Sequence, residues 1–150
     1  DLIYQWKVPG IMPVDAQTAG NELQRIYERD GVIEPEVVVL ESESASAPLH
    51  NCFEWNDAKA AHKYRITQAQ GIIRAIVAVD ETEKSPETRA FVSVDREYRP
   101  VSVVIRNPEK RDILLQNALN EFRWFEKKYN SLCELSGVFS SIKKVIQCNS

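Results

Sequence analysis

The organisation of the chain is set by residues 48–80, which read PLHNCFEWNDAKAAHKYRITQAQGIIRAIVAVD. Asn56 and Asp57 come directly before a run of good helix formers, where a short side-chain oxygen accepts a backbone N–H of the first turn. From Ala75 the residues are mostly β-branched, and Asp80 ends that run. We therefore predict a helix that passes directly into a buried strand. Steps of three and four predict its core-facing residues: Ala58, Ala61, Tyr64, Gln68, Ala69, Ile72, Ile73 and Ile76.

This stretch also contains the motif PLHxxFEWxDxxAAxxYRxxQAxxIIR. The motif resembles one in small uncharacterised proteins encoded by bacteriophages and prophages. The similarity continues through the segment NPEKRDILLQNALNEF, so that it covers about the C-terminal two thirds of the chain. The resemblance implies no activity, cofactor or site residue. It implies a setting, which is a mobile genetic element in a bacterial host.

Further elements are predicted on both sides of this stretch. Alternating side chains at residues 2–8 predict a strand. Asp15 and Gly31 are suited to begin and end a first helix. Pro35 begins a second helix, although residues 37–40 are equally compatible with a strand. Asn107 followed by proline begins a long helix, and a last amphipathic helix covers residues 132–146 with an interruption at Gly137. The apolar face of the long helix comprises Leu115, Ala118, Leu119, Phe122, Phe125 and Tyr129.

The predicted fold class is α+β. Residues 91–94 and 101–105 are rich in valine and predict two more strands. Together with residues 75–79 they give three successive strands, most economically an antiparallel meander, with the N-terminal strand at one edge. We predict a small antiparallel sheet of three or four strands packed with four or five helices, in a single domain covering residues 1–150.

Composition indicates an ordinary globular protein. The chain is 43% hydrophobic and 27% charged, with a formal net charge of −3, which gives no general attraction for nucleic acid or anionic membranes. No segment approaches the roughly 20 consecutive apolar residues of a membrane span, and the N-terminal DLIYQWKV does not resemble a signal peptide. Three widely spaced cysteines do not form a disulfide framework. We expect a cytoplasmic protein in the bacterial host cell, without a membrane partner.

No catalytic or metal-binding constellation stands out. His50, Cys52, Glu54 and His62 are the closest approach to a metal site, but their spacing matches no closed zinc pattern. A nucleophilic pair of Cys52 and His50 has no identifiable orienting group or oxyanion donor. No glycine-rich phosphate loop occurs. We therefore predict no catalytic residue, no metal ligand and no cofactor, and rank an enzyme with a polar pocket third among the functions.

Protein–protein interaction is the first functional hypothesis. Phe53 and Trp55 fall on one side of an extended loop, where they either fill the end of the core or anchor a partner. Trp124 lies off the apolar face of the long C-terminal helix. The apolar surface of the C-terminal helices exceeds what one sheet contact requires, which predicts self-association. The predicted partner-binding residues are Phe53, Trp55 and Trp124.

Nucleic-acid binding is the second hypothesis. Residues 16–43 have the outline of a helix-turn-helix, but the second helix carries glutamates that phosphates would repel. A basic surface on the central helix is the better candidate, and its residues are Lys59, Lys63, Arg65 and Arg74. A further basic set lies near the C-terminus and comprises Lys127, Lys128, Lys143 and Lys144.

Overall fold

The computed structural model describes residues 2–56, 59–80 and 86–148, without the side chains of residues 59 and 60. The chain divides into two compact units, residues 1–105 and 106–150. Within the described residues it contains six helices, a three-stranded antiparallel sheet and a two-stranded hairpin, which confirms the α+β class. The prediction of one domain stays a prediction.

The first unit contains most of the secondary structure. Its strands are β1 (Leu2–Trp6), β2 (Ile76–Asp80), β3 (Thr88–Arg89), β4 (Phe91–Val94) and β5 (Glu97–Pro100). Its helices are α1 (Ala16–Asp30), α2 (Pro35–Glu41), α3 (Lys59–Ala75) and α4 (Val101–Arg106), the last of which ends at the boundary between the units. A short 3₁₀ turn, His50–Cys52, lies in the loop before α3.

The three-stranded sheet has the order β1-β2-β3. β1 pairs antiparallel with β2 over five residues, with Tyr4 opposite Ala78, which confirms the edge position predicted for the N-terminal strand. The outer edge of β1 is partly protected, because the Tyr4 N–H donates to the Gln17 side-chain oxygen at 3.1 Å. A side chain that occupies an edge donor in this way removes one pairing position from the edge strand.

Helix α3 passes into β2 without a loop, as predicted. Ala69, Ile72, Ile73 and Ile76 are all fully buried, which confirms the core-facing side of the central helix. Tyr64 is a correction, since 56% of its surface is exposed near the start of the helix, where less of the chain packs over α3. The predicted capping residue Asp57 and its neighbour Ala58 lie outside the described residues.

The local signals for α1 and α2 are confirmed. At the start of α1 the Asp15 carboxylate accepts the Thr18 hydroxyl at 2.6 Å and the Thr18 N–H at 2.9 Å, and these bonds hold the pKa of Asp15 below its usual value. Gly31 has a φ of 74° at the end of α1. Pro35 begins α2, and residues 37–40 are helical rather than extended.

The predicted strand at residues 101–105 is wrong, and so is the meander. These residues form α4, whose burial follows a helical pattern in which Val104 is fully buried and Ile105 is exposed. The partner of β4 is instead β5, reached through a tight turn in which Asp95 and Arg96 both have positive φ. Because β4 already pairs with residues 97–100, the valine-rich segment has no strand to pair with, and packing overrides its β-propensity.

The sheet approaches α1 closely at Gly20. An added Cβ at this position would lie 2.2 Å from the Tyr4 ring. The same ring packs near Phe91 of β4, with the two ring centres 6.1 Å apart. Gly20 is therefore required for the contact between α1 and β1, although glycine weakens a helix interior.

We expect the substitution Gly20→Ala to lower the free energy of unfolding by about 1–3 kcal/mol, because overpacking outweighs the gain in helix propensity. Chemical denaturation followed by circular dichroism measures the change. The matched control is Gly71→Ala in α3, where an added Cβ meets no atom within 4 Å. The control should gain up to about 1 kcal/mol. Equal stabilities for the two variants would show that the Tyr4–Gly20 contact is not close.

The second unit contains α5 (Pro108–Tyr129), a 3₁₀ turn (Cys133–Leu135) and α6 (Ser136–Cys148). The predicted start of α5 is confirmed, since the Asn107 side chain accepts the Lys110 N–H at 3.0 Å. The predicted interruption at Gly137 is wrong, because α6 begins at Ser136 and continues through this glycine. The break lies one turn earlier, in the 3₁₀ turn.

Candidate functional site

The aromatic loop before α3 is part of the scaffold of the first unit. Phe53 is buried in the core, and Trp55 packs partly buried against it. The indole N–H of Trp55 donates to the His50 carbonyl at 2.8 Å, and the His50 ring stacks on the indole with 5.1 Å between ring centres. These contacts match the core-filling alternative for Phe53 and Trp55. Partner binding through the two residues stays a prediction.

Arg65 of α3 fastens this loop to the helix. Its guanidinium donates to the Glu54 carbonyl at 2.5 Å and to the Asn56 carbonyl at 3.2 Å. It also lies over the Trp55 ring, 4.8 Å from the ring centre. A guanidinium held in this way has a structural role, because its donors and its flat face are both occupied.

The structure does not bring the four predicted basic residues together. Lys63 and Arg74 lie three turns apart, about 16 Å along α3. Arg74 reaches toward the Tyr98 hydroxyl, at 3.4 Å, and Arg65 is directed into the loop. The side chain of Lys59 lies outside the described part of the chain. The sequence identified the charged residues, but not the two carbonyl oxygens to which the Arg65 guanidinium donates.

We expect Arg65→Gln to lower the free energy of unfolding by about 1–2 kcal/mol, because two carbonyl hydrogen bonds and a cation–π contact are lost. Lys63→Gln removes the same charge from an exposed position of the same helix and should change stability by less than about 0.5 kcal/mol. Urea denaturation followed by tryptophan fluorescence compares the two. If both variants had wild-type stability, the clamp on the loop would be disproved.

The outline of a helix-turn-helix is present but acidic. α1 and α2 flank the Gly31 turn, and Glu41 of α2 is bound by Arg25 at 2.7 Å and by Arg29 at 2.6 Å. These ion pairs hold the pKa of Glu41 below its usual value and occupy both arginines. The other glutamates in and beside α2, which are Glu34, Glu36 and Glu43, are exposed. Phosphates would be repelled by this surface.

Cys52 and His50 do not form a nucleophile and base. Burial raises the pKa of the Cys52 thiol, which reduces its thiolate fraction. The His50 Nδ1 atom lies 2.9 Å from the Ser42 carbonyl, and the ring is stacked on Trp55. Among the described residues, no group of three or more histidine, cysteine or acidic side chains is arranged to hold a metal ion.

We expect the Cys52 thiol to react with the aromatic disulfide DTNB at least about tenfold more slowly than Cys133 and Cys148, which are exposed. Native protein at pH 8 should show two fast thiols, and the third should appear only on unfolding. In the variant Cys52→Ser the slow phase should disappear and the fast phase should be unchanged. A wild-type protein with three fast thiols would contradict the burial of Cys52.

The first unit contains an open cavity of about 680 Å³. It lies on the face of the three-stranded sheet that carries Tyr4 and Ala78, between α1 and α4. Its polar lining comes from Gln17, Asn21, Gln24, Asp80, Thr88, Arg89 and Ser102. His50, Glu54 and Arg65 are not among its lining residues; a polar pocket lined by these three would have supported the third hypothesis, an enzyme.

Among the described residues of the second unit, more large hydrophobic side chains are exposed than buried. Among its described residues only Leu119 and Phe139 are buried hydrophobics. Phe122 and Phe125 are each 44% exposed, and Trp124 is 71% exposed. On α6, Val138 and Val145 are exposed as well. The unit is therefore a pair of helices with a small core and uncovered apolar side chains.

Two faces of α5 differ in character. The first, here called the heptad face, repeats apolar residues at steps of three and four and comprises Leu115, Ala118, Phe122, Phe125 and Tyr129. It contacts α6 through Phe125 and Phe139, whose ring centres are 6.0 Å apart, and it borders an open apolar groove of about 410 Å³. The second, here called the outer face, lies on the opposite side and comprises Asn117, Asn120, Trp124, Lys127 and Lys128, all exposed.

On the outer face, Trp124 lies next to the ammonium group of Lys127. The Lys127 ammonium lies 4.8 Å from the centre of the Trp124 ring. Lys127 also lines an open cleft of about 440 Å³, together with Arg123, Glu126 and Asn130. The negative charge of Glu126 is offset by the Lys143 ammonium of α6 at 2.8 Å. The sequence had shown that Trp124 falls off the apolar stripe, and only the structure shows how exposed it is.

Comparisons of the chain with protein-family models, with curated proteins and with solved structures gave no match. The described part of the chain contains no helix with the length and apolar character needed to cross a membrane.

Proposed function

We propose that this protein is a non-enzymatic interaction module that self-associates through the helices of its second unit. The observation that supports the proposal is the exposure of Phe122 and Phe125 on the heptad face of α5. Apolar side chains repeated in this way are typical of surfaces covered by another helix. The proposed occupant is a second copy of the same chain.

The small core of the second unit is the first argument. The unit has 45 residues, and helix pairs of this size rarely bury enough surface to be stable alone. α6 has 13 residues, near the length at which isolated helices are marginal. With Leu119 and Phe139 as the buried hydrophobics of its described part, the unit needs further burial to offset the entropy of ordering two helices.

The heptad spacing is the second argument, because it occurs on both helices. α5 carries the heptad face, and α6 repeats Val138, Ile142 and Val145 at steps of four and three. Two helices with such repeats cover each other on one side only. A second copy of the pair completes a four-helix bundle in which each repeat is covered. An isologous arrangement of this kind requires no other protein.

Charge favours an antiparallel arrangement of two α5 helices. Glu121 and Lys128 lie seven residues apart on one flank of the heptad face. In an antiparallel pair each meets the opposite charge of the other copy, whereas a parallel pair places Glu121 beside Glu126. Like charges in contact are destabilising. The second copy is therefore complementary in charge as well as in apolar pattern.

The proposed setting is the cytoplasm of a bacterium that carries a prophage. It rests on the motif within residues 48–74, and it adds no activity to the proposal. Genome neighbourhood tests the setting: adjacent head and tail genes would favour an assembly role, and adjacent replication or recombination genes would favour a nucleic-acid role.

We expect Phe122→Glu to weaken self-association by at least about 100-fold, because a carboxylate cannot be buried in the bundle without a partner. Sedimentation velocity between about 1 and 200 µM should show wild-type dimers that dissociate on dilution, and a monomeric variant. The matched control, Gln116→Glu, adds the same charge at an exposed position on another side of α5 and should dimerise like the wild type. A wild-type protein that is monomeric throughout this range would overturn the proposal.

A further inference from the structure

The outer face of α5 is left uncovered by the proposed association, because it lies opposite the heptad face. Its residues recur at steps of three and four, which places them in one arc of the helix. The face combines amides, Asn117 and Asn120, with an exposed tryptophan and the ammonium groups of Lys127 and Lys128. Arg123 lies at its margin and donates to the Asn120 side-chain oxygen at 2.7 Å.

The charge of the second unit differs in sign from that of the first. Residues 106–150 contain eight Lys and Arg against five Asp and Glu, and residues 1–105 contain eleven against seventeen. The formal charges are therefore +3 and −6, although the whole chain is only mildly acidic. Two acidic side chains lie near the outer face: Glu126 lines the cleft but is paired with Lys143, and Glu121 lines the apolar groove beside Phe122.

Trp124 has the geometry of a stacking platform. Its ring is 71% exposed, and Lys127 covers it from one side at 4.8 Å. In the part of the chain that the structure describes, no other aromatic ring is stacked on it. Lys127 also lines the cleft of about 440 Å³ together with Arg123, so an anionic group in the cleft would meet two cations, and the charge of Glu126 in the lining is offset by Lys143.

We propose that the outer face of α5 binds single-stranded nucleic acid. An unpaired base stacks on the Trp124 ring, and the adjacent phosphates lie near Arg123 and Lys127. The Asn117 and Asn120 amides offer hydrogen bonds to base edges or sugars. A duplex is excluded as the preferred ligand because its base faces are already stacked. A lipid surface is a poorer match, since the amides beside Trp124 would have to leave water.

The two proposals are independent, because association uses the heptad face with Lys128 at its flank, and nucleic-acid binding uses Trp124, Arg123 and Lys127. Self-association covers the heptad face and leaves two outer faces on the dimer. A strand long enough to reach both faces would bind with added avidity. The monomeric variant Phe122→Glu keeps its own outer face, and it therefore separates a failure of association from a failure of binding.

Fluorescence polarisation of labelled oligonucleotides tests the proposal with the full chain. The probes are oligothymidine and oligouridine of about 20 nucleotides, a duplex of the same length and phosphatidylglycerol vesicles. Binding of either single strand should weaken with salt, with a logarithmic slope of about −1.4 for two phosphate contacts. Trp124→Ala should weaken binding about 10-fold or more, and Trp124→Phe should restore most of it. Tryptophan quenching by the single strand should disappear in Trp124→Ala.

Two charge variants test whether the single strand binds the outer face of α5 or the basic residues of α3. Lys127→Gln should reduce the salt slope by about 0.7, whereas Lys63→Gln, an equal loss of charge on α3, should leave affinity and slope unchanged. Circular dichroism confirms that each variant is folded. The proposal is overturned if single strands do not bind at 50 mM salt and 100 µM protein, or if Trp124→Ala binds like the wild type. It is also overturned if the duplex binds as tightly, or if only the vesicles bind.

Discussion

The first unit depends on the absence of a loop between α3 and β2. Because the helix passes directly into the strand, Ile72, Ile73 and Ile76 enter one core in a fixed relation, and all three are fully buried. The Lys7 N–H donates to the Ala75 carbonyl at 2.8 Å at this junction, which aligns β1 with β2 along its length. The Tyr4 ring of β1 then lies against Gly20 and sets the position of α1. One covalent constraint thus orients a sheet and two helices.

Much of the fold could be predicted from the sequence, because it is encoded by local signals. Asp15, Gly31 and Pro35 each act within one or two turns of the helix that they begin or end, and each is confirmed. The segment 101–105 could not be assigned in this way. Its valines are compatible with a strand, and the outcome depends on whether β4 has already paired. The turn that allows that pairing contains Asp95 and Arg96 at positive φ, where Asn-Gly is the usual signal, so nothing in the sequence announced the hairpin.

The candidate site was less predictable for a related reason. Side-chain chemistry can be identified from the sequence, but the atoms that neutralise it cannot. Arg65 looked like part of a basic surface, and its guanidinium is occupied by the carbonyl oxygens of Glu54 and Asn56 in the loop before α3. In the described part of the chain, no carbonyl oxygen accepts a hydrogen bond from the Trp124 indole. The displacement of Trp124 from the heptad spacing was the one feature of this surface that the sequence did show. The hydrophobic periodicity of α5 therefore identified Trp124 as an exposed residue, whereas its residue type alone did not.

The two units differ in how much hydrophobic surface they bury and in the sign of their charge. The first contains most of the buried hydrophobic residues, several arginines held by nearby acids or carbonyl oxygens, and the negative charge. The second keeps a small core, exposed aromatic residues and the positive charge. Anything that binds only the ordered form of a unit stabilises it by mass action. Because α5 and α6 bury little surface of their own, the ordering of these helices is coupled to any binding that covers them. The proposed interaction would supply the burial that the small core of the second unit lacks.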